Sequence, residues 1–139
     1  MSKTANMNLT KTVDLAAVAV TNANLDAIDA AVGTVEVRTT DTSAPIVSTQ
    51  GKVFLGKVTA GSWTLAAPVA GLPSAGGMDG QRLTFISTTA QAHVITTPAS
   101  TLNGSLHIAT FAAAIGNCVE LVALNGVWYS AQLKAVTLS

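Results

Sequence analysis

The residues that could do chemistry are few and far apart. Two histidines, His93 and His107, sit in separate runs, "AHVITTPA" and "SLHIATFA", with no cysteine or carboxylate at ligand spacing. A zinc site takes three or four such groups, so no metal is expected. A glycosidase needs two carboxylates facing one another. Beyond residue 50 the chain offers only Asp79, in a glycine-rich loop, and Glu120, alternating outward in a strand. A hydrolytic triad would draw on one histidine, an acid and a serine, but no GxSxG turn is present. The glycines of "SAGGMDG" lack the lysine and the following helix of a phosphate loop. Cys118 is the single cysteine, which excludes an intrachain disulfide, and within "NCVELVAL" it reads as a small buried hydrophobe. The expectation is a protein that is not an enzyme and holds no cofactor.

The clearest signal is structural. In "LVALNGVWYSA", residues 121–131, Asn125-Gly126 lies between two apolar runs. A type I′ hairpin turn needs positive φ at both central residues, and Asn-Gly supplies it. A symmetric hairpin pairs Leu124 with Val127, Ala123 with Trp128 and Val122 with Tyr129. Strand neighbours point to opposite faces, so Trp128 and Tyr129 cannot share one. Trp128 is expected in the core and Tyr129 outside it, at a subunit or ligand contact.

Other strands are expected at "SWTLAA" (62–67), "QRLTFIST" (81–88), "AHVITTPA" (92–99), "SLHIATFA" (105–112) and "NCVELVAL" (117–124), with a loop over 71–80. A faint echo links Gly80, Leu83, Phe85 and Ile86 to Gly116, Val119, Leu121 and Val122 at equal spacing. Two copies do not make a solenoid, but they suit a fold of similar short β units.

The first part differs in kind. Residues 1–50 hold five acids (Asp14, Asp26, Asp29, Glu36, Asp41) and three bases (Lys3, Lys11, Arg38), and no aromatic residue. "NANLDAIDAAVG" has an Asn N-cap, early acids and Gly33 after its end, predicting a short helix over about 22–32. Leu25, Ile28 and Val32 form its one apolar stripe. So short a helix is marginal alone, so the stripe is expected to dock on something. "VEVRTTDTSAPIVSTQG" reads as an extended arm or an edge strand. The expected organisation is an arm over 1–50 and a β domain over 51–139. The fold class is mainly β: a small antiparallel β-barrel or sandwich behind an N-terminal arm with one short helix.

Charged residues make up 10% of the chain, against roughly 25% in ordinary soluble domains. Net charge is zero, without the basic footprint that nucleic acid requires. No apolar run approaches the roughly 20 residues of a membrane span. The N-terminus has lysines but no continuous apolar segment, so no secretory signal is expected. A surface so poor in charge favours association. The chain is expected to be covered by neighbours.

The order Asp79-Gly80, "LTFIS", "AHVITT", "LNG" at 102–104, "ATF" at 109–111, Gly116-Asn117 and a final "NGVWY" resembles a β module of tailed-bacteriophage virion proteins. The resemblance covers about residues 61–132. It implies a homotrimer of the capsid decoration, head fibre or tail fibre type. The length suits a decoration (cement) or head fibre protein that binds the major capsid protein on the outer capsid surface of the virion and stabilises the shell. The alternative it leaves is a tail fibre tip that binds a host surface receptor. Its implied partners are its own copies and the major capsid protein.

Overall fold

The computed structural model describes residues 34–39 and 45–139. The expected helix over 22–32, with Leu25, Ile28 and Val32, lies outside the described residues.

Ten strands build one compact unit from Thr34 to Ser139. They are β1 (Thr34–Arg38), β2 (Pro45–Ile46), β3 (Gly51–Leu55), β4 (Ser62–Leu65), β5 (Arg82–Ser87), β6 (Val94–Thr96), β7 (Ile108–Phe111), β8 (Cys118–Leu124), β9 (Val127–Lys134) and β10 (Val136–Leu138). The first sheet runs β1-β3-β5-β8-β9, the second β10-β7-β6-β4-β2. Alternation in each strand sends one set of side chains inward: Trp63 and Leu65 from β4, Leu83 and Phe85 from β5, Val119 and Leu121 from β8. Side chains from both sheets form a single core cluster.

Two expectations are corrected. The sheets are mixed, not antiparallel, and neither closes into a barrel: β1, β3 and β5 pair in parallel, as do β2, β4 and β6. The physical reason is the path. Each connection from β1 to β6 crosses from one sheet to the other, so the chain returns beside its own earlier strand pointing the same way. Tight hairpins give antiparallel neighbours; crossovers give parallel ones. The result is three stacked two-strand coils. The antiparallel strands β7 to β10 close one end. The compact β unit also begins at Thr34 rather than at residue 51, because β1 and β2 belong to the same two sheets.

The other end of the stack is β1 in one sheet and β2 in the other. Here the inner face turns polar. Glu36 pairs in register with Val53 and Arg38 with Leu55, and both partners are fully buried. Glu36 and Arg38 form an ion pair. The Glu36 carboxylate also accepts the backbone N–H of Ser48 at 2.7 Å and of Val47 at 3.4 Å, and the Arg38 guanidinium donates to the carbonyl of Pro45. Burial opposes ionisation of Glu36, but the Ser48 side chain and N–H, the Val47 N–H and Arg38 more than offset it, so its carboxyl titrates below the usual range.

Candidate functional site

The β8–β9 hairpin organises one cluster of loops. Asn125 has φ 49° and Gly126 φ 78°, the backbone that a type I′ turn demands. Leu124 pairs with Val127, Ala123 with Trp128 and Val122 with Tyr129. Trp128 is fully buried. Its indole Nε1 donates to the carbonyl of Ala66 at 2.9 Å. Its backbone N–H donates to Thr101 and its carbonyl accepts from Asn103. One side chain and its own backbone thus tie the hairpin to the loops after β4 and after β6.

Two polar anchors complete the cluster. Asp79 accepts the N–H of Asn125 at 2.7 Å through Oδ1. The Asn103 side chain clamps Ser130, accepting its N–H at 2.9 Å and donating to its hydroxyl at 3.0 Å. The loop over 71–80 is held against itself. Gly77 sits where a Cβ would lie 2.0 Å from the carbonyl oxygen of Gly71, so only glycine fits. A 3₁₀ turn, Pro73–Ala75, spans the interval.

Tyr129 points the other way, onto the outer face of the first sheet, and is 43% exposed. That face has a legible grid. One row reads Val37, Phe54, Ile86, Cys118, Lys134; the next reads Val35, Lys52, Thr84, Glu120, Gln132; a third reads Arg82, Val122, Tyr129. Val35 is 65% and Val37 59% exposed, and Leu124 beside the turn 49%. Arg82 and Glu120 pair across β5 and β8. Cys118 belongs to this outer row and is only half-buried, which corrects its expected place in the core. Its strand alternates, and Val119 takes the inward position instead.

His93 and His107 are not brought together. His107 is exposed. His93 is fully buried beside Trp63, with ring centroids 5.2 Å apart at 55°. Its Nε2 lies 2.9 Å from the Thr89 hydroxyl, the spacing of a base and a nucleophile. The other nitrogen decides against that role. Nδ1 accepts the N–H of Gly61 at 3.1 Å, so in the neutral ring Nε2 carries the proton and donates to Thr89. The Thr89 hydroxyl in turn donates a hydrogen bond to the carbonyl of Lys57 at 2.8 Å. Burial first, then the positive charge of Lys57, holds the imidazole below its usual range. The group is a clamp across the connections that flank β4 and β6. Among the described residues no three His, Cys, Asp or Glu side chains gather as a metal site.

Sequence reading placed the hairpin, Trp128 and Tyr129 but not their anchors. A separation of 46 positions between Asp79 and Asn125 hides their contact. The one available hint was Asp before Gly in a loop, a residue pair that commonly caps a backbone N–H. The inward Glu36 and Arg38 gave a weaker hint: "TVEVR" alternates as a strand whose polar residues fall on one side. Compared with models of known families and with curated proteins, the sequence matches none.

Proposed function

We propose that this chain is a structural protein of a tailed-bacteriophage virion, a capsid decoration or head fibre protein. In this reading it does no catalysis, binds the major capsid protein on the outer surface of the shell as a homotrimer, and stabilises the particle. The observation that carries it is the outer face of the first sheet. Exposed Val35, Val37 and Tyr129 share that face with half-buried Phe54, Ile86 and Val122, in a chain with only 10% charged residues. Val37, Phe54, Ile86 and Cys118 run as one apolar row beside Val35, and the polar row through Lys52, Thr84 and Glu120 separates them from Val122 and Tyr129, a mixed face suited to contact with protein. The resemblance of residues 61–132 to virion β modules supplies the setting, and a trimer fits the three-fold positions of a shell.

A second reading has its own support. Tyr129, Leu124 and the 71–80 loop are exposed near the hairpin tip, where a fibre tip would meet a receptor on the host.

The test is copy number per purified particle, by quantitative mass spectrometry against the major capsid protein. A count in simple ratio to the shell protein is expected. A count matching the tail would shift the assignment to the fibre tip, and glycan-array binding would support it. Absence from the particle would overturn both.

A further inference from the structure

We propose that the Glu36–Arg38 pair is a stop: it closes the β1/β2 end of the stacked coils against addition of a strand from a second copy of this chain. The proposal stands apart from the virion reading.

A stack of parallel coils has an intrinsic problem at its end. The last strand offers unpaired backbone groups and an open apolar layer, a template for another strand. On the outer side of β1 and β2 no strand pairs among the described residues. The sequence of β1 is otherwise well suited to pairing, with Thr34, Val35 and Val37 all β-formers. Its outward valines are well exposed.

The inner positions oppose this. Along one inner row the residues read Val119, Phe85, Val53 and then Glu36. The next row ends Ser87, Leu55, Arg38. A further coil would therefore stack its apolar side chains on a carboxylate and a guanidinium, which costs more than it gains. The two side chains also occupy backbone groups of the terminal coil itself, the carbonyl of Pro45 and the N–H groups of Val47 and Ser48.

The pair ties the terminal coil together, but not without cost. Arg38 Nε is buried without a partner. A well-packed apolar pair commonly does as well as a buried ion pair or better. Inward charges are instead a known guard for sheet edges. The opposite edge of the same sheet is guarded too, by different devices. β9 carries a bulge opposite Glu120 and Leu121 and ends on Lys134.

The test removes the stop in the full chain. Glu36→Val with Arg38→Leu continues the apolar inner rows to the end of the stack. Mass would be followed by light scattering over a range of concentrations, and folding by circular dichroism. A labelled peptide of residues 51–57, "GKVFLGK", serves as the probe strand. The double variant is expected to stay folded, to grow with concentration to at least double the wild-type mass, and to bind the peptide, which the wild type does not. A folded double variant of wild-type mass that ignores the peptide would overturn the proposal. So would a wild type that binds the peptide equally well. If the double variant does not fold, Arg38→Leu alone, which keeps the Glu36 acceptor for Ser48, is read by the same two measurements and the same criteria.

Discussion

One buried side chain, His93, should make the molecule sensitive to acid. Its two nitrogens are committed in opposite senses, accepting from Gly61 and donating to Thr89. A second proton would turn the acceptor at Nδ1 into a donor aimed at another N–H. Gly61 is packed on the Trp63 ring, where a Cβ would lie 2.3 Å from it. In the unfolded chain the imidazole titrates near its ordinary 6.5, while in the folded chain its value is lowered. Above 6.5 both states are neutral. As pH falls through 6.5 toward the lowered folded value, the unfolded chain binds more protons and stability drops. The melting temperature should therefore fall between about pH 7 and pH 5, the range over which histidine changes charge. His93→Gln, which keeps an acceptor, should be less stable at neutral pH but flat across that window. An unchanged slope in the variant would assign the acid sensitivity elsewhere.

At the scale of elements, the hairpin was the most legible part, because Asn125-Gly126 fixes both turn and register and so separates Trp128 from Tyr129. The parallel pairing was not legible. An alternating strand such as "SWTL" looks the same beside a parallel or an antiparallel neighbour, and β2 is only two residues long. Nor does a period betray the coils. Gly51 is paired with Thr34 upstream and with Leu83 downstream, at unequal intervals, because the 66–80 loop is inserted in the second coil. The echo between 80–86 and 116–122 belongs to β5 and β8, antiparallel neighbours rather than successive coils. That inserted loop is itself an element with a testable weak point. Gly77→Ala drives a methyl into the Gly71 carbonyl, a backbone group that cannot swing aside as a side chain would. It should cost about 1–3 kcal/mol, the range for overpacking, in denaturant unfolding. Ala at the open Gly76 position tests only its left-handed backbone and should cost less, about 1 kcal/mol.

For the whole molecule, the division into a parallel stack and an antiparallel end has a consequence in time. The β8–β9 hairpin joins residues close in sequence, whereas every parallel pair waits for a crossover to close. Closing long loops before contacts reward them is slow, so local pairs lead. The hairpin, with β5 laid against β8, is the natural nucleus, and β3 and β1 then add in reverse order of the chain. Leu121→Ala should accordingly slow refolding, while Val53→Ala should mainly speed unfolding, both read from chevron plots. Equal partition in the two variants would refute a C-terminal nucleus. During synthesis the order is inverted. The ribosome delivers β1 and β3 first, and they have no β5 to join until most of the chain has emerged. Among the described strands the first made are the last to find their places, and "TVEVR" and "GKVFL" have only each other to pair with until β5 emerges.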